Sequence, residues 1–252
     1  MDKPVFYNRV RSSVFGGALK ATQVEGLELI IAEADHRKLN NEYLAYVLAT
    51  TAWETARTIQ PVAEGYWIKN AEAWRRKNLR YYPFYGRGYV QLTWDFNYKK
   101  ASNYFREVLG INADFVKNPD LAMKPEYAVV ILFQGMIDGW FTSKKLVTYL
   151  DGIDENEAID LEEFRKARRI VNGTDKDDEI AALAIKFEGA LRAAKRPETG
   201  SPASVPVPPV VSTPEPAKPT PATPTPAPES VPSTTNTIVR IILAIIRLFL
   251  KK

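Results

Sequence analysis

The chain of 252 residues contains no cysteine and a single histidine. The first absence removes disulfides, thiolate nucleophiles and cysteine metal sites, and it leaves the redox compartment open. The second leaves His36, in "AEADHRKLN", without the partners that zinc hydrolysis or a Ser/His or Cys/His nucleophile needs, so it reads as a plain helix-end residue. A hydrolase made from this set of side chains takes its acid and base from carboxylates, and neither metal nor cofactor is expected. A basic body is also lacking. Of the formal charge of +4, Arg240, Arg247, Lys251 and Lys252 lie in the last sixteen residues, and the preceding 236 carry 30 basic and 30 acidic side chains. Nucleic-acid binding, which leaves a basic face on the fold, is therefore disfavoured. The N-terminal "MDKPVFYNRVRSSVFGG" has no continuous apolar run followed by a small-residue cleavage site, so no conventional secretory signal is expected.

What the chain does have is apolar mass: 45% apolar residues and 11% aromatics, enough for a sizeable core. The composition changes near Pro197. Residues 200–236 contain twelve prolines with much Ser, Thr and Ala and no aromatic residue, which reads as a partly polyproline-II spacer. Three parts follow: a folded domain over 1–196, a linker over 197–236 and a C-terminal segment over 237–252. In that segment, "TIVRIILAIIRLFLKK", Thr237, Arg240, Ala244, Arg247 and Lys251 share a narrow helical stripe amid Ile, Leu, Val and Phe. Sixteen helical residues reach about 24 Å, short of the roughly 30 Å of bilayer hydrocarbon, so an amphipathic helix lying on an anionic membrane is expected, with Arg240, Arg247 and Lys251 facing the headgroups; a helix that docks on its own domain or self-associates is the alternative.

The folded part reads as mainly α. Thr22 and Glu25 form a capping-box pattern ahead of Val24, Leu27, Ile30, Ile31 and Ala34. Leu44, Val47, Leu48, Thr51, Ala52 and Thr55 make one stripe of a helix over 41–59, ended by Pro61. Pro125 suits the first turn of an apolar helix through Met136, and Ile180, Leu183, Phe187 and Leu191 mark a last core helix. Strand-like alternation is confined to short pieces such as "YVQLTW". The acidic run "DGIDENEAIDLEEF", residues 151–164, puts Ile153 at its third position and lacks a properly placed glycine, so it fails the calcium-loop pattern and reads as a solvated loop.

Two glutamates carry the candidate chemistry. Glu54 lies at the edge of the buried stripe of its helix, where partial desolvation favours the protonated acid. Glu64 follows Pro61 and precedes Gly65, in a segment that turns back and lets the two carboxyls face each other across a cleft wide enough for a water. Beside them, "YYPFYGRGYVQLTWDFNY" offers neutral hydrogen-bonding groups (Gln91, Thr93, Asn97) and aromatic faces (Tyr85, Tyr89, Trp94, Tyr98), the two surfaces a polysaccharide groove uses.

The stretch "FYGRGYVQLTWDFNY" resembles the signature of glycoside hydrolase family 19, and "AYVLATTAWETA", "PVAE", "NPDLAMKPEYA", "GMIDGWFT" and "ARRIVNGTD" are similar to its phage and prophage branch over about residues 5–195. The resemblance implies a lysozyme-like, mainly helical fold with minor strand content. It implies Glu54 as general acid, although Trp53 stands where the family usually has His. The second carboxylate matches Glu64, with Glu72 as the alternative. Thr93 matches a water-holding position, and Gln91, Asn97 and Tyr98 match substrate contacts; Asn172 resembles a position near the sugar, and Arg87 a brace. The implied activity is that of a monomeric endolysin that cleaves β-1,4 bonds of peptidoglycan with inversion. It is made in the host cytoplasm, leaves by a holin-dependent route and acts at the periplasmic wall. Chitin hydrolysis, lytic transglycosylation and non-enzymatic wall or membrane binding are the alternatives.

Overall fold

Asn40 starts the helix around which the protein is built. Its side-chain oxygen accepts the Tyr43 N–H at 2.8 Å, opening α3, Asn41–Glu54. The computed structural model describes residues 1–153 and 156–197. The spacer beyond Pro197 and the cationic segment with Arg240, Arg247 and Lys251 lie outside the described residues.

Every residue of α3 from Asn41 to Ala52 is buried, so the helix is covered on all sides rather than along the one stripe its sequence suggests. Against it pack α8, Asp177–Ala193, and α7, Glu157–Ala167, which in turn contact each other. Ile180, Leu183, Phe187 and Leu191 are buried on α8 as their spacing predicts. Two further helices close this side. In α1, Lys3–Ser13, Phe6 and Val10 are buried and the helix lies on α8; α2, Ala21–His36, meets α3 and α6, Pro125–Asp138. Pro125 occupies the first turn of α6, and Gly139 ends it with a φ of 73°, the left-handed residue that a helix stop requires. The described body extends to Arg196, whose guanidinium is buried against Asp35, Asn41 Oδ1 and the Leu39 carbonyl at 2.8 to 3.0 Å. Among the described residues no helix is long and apolar enough to cross a membrane.

Three local expectations change. The box at Thr22 and Glu25 does not form: α2 begins two residues earlier, capped at Lys20, and Gln23 Oε1 accepts the Lys20 N–H at 2.7 Å in the role expected of Glu25. Next, α3 stops at Glu54, well before Pro61. Thr55 Oγ1 donates to the Thr51 carbonyl and accepts the Ile59 N–H, while Ala56, Arg57 and Ile59 all take left-handed backbone angles. This knot is pressed onto α2 at Gly26, where a Cβ would stand 1.9 Å from the Ile59 carbonyl oxygen. Finally, the strand content lies elsewhere: β1, Val62–Ala63, pairs antiparallel with β2, Arg87–Gly88, and most of "YVQLTW" is a tight turn closed by an Arg87–Leu92 bridge.

Candidate active site

The early end of α3 leaves Glu54 as its last residue, half-buried, with a side chain 16% exposed. Its neighbour is ionic rather than apolar. Arg168 Nη1 donates to Glu54 Oε1 at 2.7 Å from a side chain only 3% exposed. Arg168 begins the short turn Arg168–Ile170 that follows α7, and its Nε is fixed by the Asp175 carbonyl at 2.9 Å. The same turn carries Asn172, whose N–H donates to the Arg168 carbonyl at 3.0 Å and whose exposed amide oxygen accepts the Gly173 N–H. Trp53 sits half-buried beside Glu54.

The chain then runs through the knot at 55–59 into β1, which delivers Glu64. Its backbone N–H reaches the Gly86 carbonyl at 2.7 Å, one step beyond the two-strand ladder. Its side chain is held by two donors: Gly86 N–H to Oε2 at 3.0 Å and the Tyr81 hydroxyl to Oε1 at 2.8 Å. Arg75 Nε holds the Glu64 carbonyl at 2.6 Å. Burial, then the bond to Glu64, pushes the Tyr81 hydroxyl up to about 12, so it stays a donor at neutral pH. Gly86 approaches closely because it has no Cβ; one would stand 2.7 Å from Gln91 Oε1.

Glu72, on the short helix α4, Ala71–Asn78, is 56% exposed. Its carboxylate accepts Tyr82 at 2.7 Å, with Arg75 and Tyr85 at 3.4 Å, and the Tyr82 bond above all holds it below the usual carboxylate range.

The turn after β2 is strained at two non-glycine residues, Gln91 and Trp94, both left-handed. Gln91 Nε2 donates to the Val62 carbonyl at 3.0 Å, and Thr93 Oγ1 donates to the Gln91 carbonyl at 2.7 Å. Trp94 packs on Tyr81 with ring centres 5.0 Å apart and stacks with the exposed Phe96 at 6.3 Å. Asn97 heads the following helix α5, Asp95–Asn103, where its amide donates to the Thr93 carbonyl.

Two expected sugar contacts are placed otherwise. Tyr98 is fully buried, its hydroxyl donating to the Tyr85 carbonyl and accepting from Arg87 Nη1. Tyr85 is buried as well, with the Arg87 guanidinium 3.6 Å from its ring centre. Both are internal braces around Arg87, which also reaches the Pro83 carbonyl and Asp120. Aromatic faces that do reach solvent are Tyr66, Trp67, 73% exposed, and Phe96.

The structure thus brings Glu64, Thr93, Gln91, Trp94 and Asn97 onto one cluster of turns, and Glu54 with Asn172 onto the Arg168 turn. Arg168, Tyr81 and Trp67 were not singled out from the sequence, although they lie in or beside the stretches "ARRIVNGTD", "YYPFYGRGY" and "VAEGYW".

Residues 32–148 match the family model described as chitinase class I, glycoside hydrolase family 19. No curated protein and no solved structure matches the chain.

Proposed function

With residues 32–148 belonging to glycoside hydrolase family 19, we propose that the protein is an endolysin-type peptidoglycan hydrolase cleaving β-1,4 bonds with inversion. The coarse activity, hydrolysis of a glycosidic bond, is that of the family. The finer reading rests on one observation: the two candidate carboxylates are held by opposite kinds of partner. Glu54 is fastened at one oxygen by a buried guanidinium, whereas Glu64 is fixed at both by neutral donors.

That difference fits two roles. Glu54 delivers a proton to the departing glycosidic oxygen, and the carboxylate left behind is stabilised by Arg168. Glu64 is oriented by Gly86 and Tyr81 and takes a proton from water as that water attacks the anomeric carbon from the opposite face. The Thr93 hydroxyl, spending its proton on Gln91, keeps lone pairs for the same water. Gln91, Trp94 and Asn172 border the sugar, and the buried Asn97 holds the Thr93 carbonyl. Trp53, in the place of a family histidine, packs beside the acid without supplying a proton. Glu72 is the weaker candidate for base because it is mostly exposed and belongs to the Tyr82–Arg75 cluster.

Peptidoglycan is preferred because the motifs resemble the phage branch; chitin is the second reading, favoured by the family description. The C-terminal segment, with Arg240, Arg247 and Lys251, is assigned to an anionic membrane, with the spacer giving reach, and the enzyme to the periplasmic wall as a monomer. Digestion of purified peptidoglycan and of chitin, with mass spectrometry of the products and NMR of the new anomeric centre, tests the reaction and its substrate, and flotation of the full-length chain with anionic vesicles tests the membrane assignment. Reducing ends of inverted configuration from peptidoglycan are expected. Anhydro-muramyl ends would instead mark a transglycosylase, and release from chitin alone a chitinase.

A further inference from the structure

At the opposite end of the helix that carries Glu54, three carboxylates converge. Glu42 in the first turn of α3, Asp151 in the loop before α7 and Glu163 on α7 place carboxylate oxygens within 4.8 Å of one another. Glu42 is 2% exposed. Its Oε2 accepts the Gly152 N–H at 2.6 Å, and its Oε1 is buried with no N–H or hydroxyl donor among the described residues, only the Glu163 carboxyl beside it. Among those residues, no lysine or arginine pairs with any of the three. A carboxylate oxygen buried without a donor or a cation is costly, and two more acids beside it raise the cost.

The donor set indicates what charge would fit. All donors are hard oxygens, with neither histidine nor thiolate among them, which suits calcium or magnesium rather than a transition metal. Calcium accepts several protein carboxylates in a flexible shell, whereas magnesium demands near-ideal octahedral geometry and usually keeps several waters, so three converging protein carboxylates favour calcium. One ligand is buried and fixed by a backbone N–H, one is half-buried and one is exposed, which leaves an entry path from solvent. The run "DGIDENEAIDLEEF" does not follow the contiguous calcium-loop pattern. It supplies Asp151 and Glu163, and the buried third ligand comes from a distant helix.

We propose that Glu42, Asp151 and Glu163 bind a divalent cation of calcium's size and hardness, with water or backbone carbonyls completing the shell. The site joins α3 to α7 along a line of contacts. One turn on, Tyr46 donates to the Ala167 carbonyl at 2.6 Å and stacks with Phe164. Farther along the same two elements stand Glu54 and Arg168. A bound cation fastens the pair of helices whose far ends hold that ion pair.

The test uses the full-length chain, stripped with EDTA and titrated with calcium chloride or magnesium chloride alone, followed by calorimetry and by thermal unfolding. Saturable binding of one calcium, a rise in Tm of several degrees and weaker binding of magnesium are expected. Asp151→Asn and Glu163→Gln, with metal-free circular dichroism matching the parent, should bind calcium on the order of tenfold or more weakly. The proposal is overturned if neither cation binds saturably or if both variants bind calcium as the parent does. It is equally overturned if Glu42→Gln raises the metal-free Tm while calcium moves the Tm of neither protein, which would mean that a shared proton alone fills the cluster.

Discussion

Arg168 reaches across 114 residues of sequence to bond Glu54 Oε1 at 2.7 Å, and both side chains are largely withdrawn from water. Removing only one partner strands the other. Arg168→Met is therefore expected to cost about 3 kcal/mol of stability and most of the activity. Adding Glu54→Gln to it should restore much of the stability and none of the turnover. Denaturant unfolding of both single variants and the double variant measures the coupling.

Glu54→Gln and Glu64→Gln should each lower kcat by about 100- to 10,000-fold on purified wall, because each removes a proton-transfer group and keeps its shape; Tm should change little for Glu64→Gln and fall for Glu54→Gln, which leaves the buried Arg168 without its counter-charge. Glu72→Gln should stay within about threefold of the parent, since its carboxylate serves an exposed cluster. Parent-like turnover by Glu64→Gln together with collapse of Glu72→Gln would reassign the base.

Tyr81→Phe removes one of the two donors on Glu64 and leaves the ring against Trp94. A drop of about tenfold in kcat with KM nearly unchanged is expected, corresponding to roughly 1.4 kcal/mol. A change confined to KM would make Tyr81 a substrate platform instead.

Stability should decline in alkali. Burial pushes the Tyr46 and Tyr98 hydroxyls well above their ordinary value. In the unfolded chain they ionise near pH 10, so above that pH the folded protein retains protons that the unfolded one has lost, and unfolding gains. The tyrosine contribution is complete below about pH 10 and shrinks above it. Melting curves from pH 8 to 11, with tyrosinate absorbance recorded alongside, should show Tm falling as the absorbance appears on unfolding.

Gly26→Ala places a methyl 1.9 Å from the Ile59 carbonyl oxygen. A loss of about 1–3 kcal/mol is expected, together with reduced activity, since the displaced segment carries the chain from Glu54 toward Glu64. Chemical denaturation and assays on the same preparation test both.

How legible this was depended on range. Helices α2, α6 and α8 follow from periodicity and from a proline at a first turn, because those signals act within a few residues. The end of α3 was misplaced because Thr55 and the contact of Gly26 with Ile59 stop it, and the second of these is tertiary. Glu54 and Glu64 are singled out as candidates by their flanking residues. Arg168 is not, because nothing near it in sequence marks its partner. Tyr85 and Tyr98 were read as sugar contacts because an aromatic side chain looks the same in sequence whether it meets a ligand or braces an arginine. The acidic run reads as a solvated loop, but Glu157–Phe164 is the first part of α7, with Asp160 and Phe164 buried, because the helix packs on α8; sequence has no means of bringing Glu42 to it.

Arg196 gives the described body a clasp. Its guanidinium closes on Asp35, Leu39 and Asn41, at the junction where α2 hands over to α3. A cut made just after Pro197 would spare that clasp and leave the helix bearing Glu42 and Glu54 anchored at its root. A cut two residues earlier would uncover the polar groups of that junction, so the span able to fold when severed from the proline-rich stretch finishes at this arginine and not at the last turn of α8.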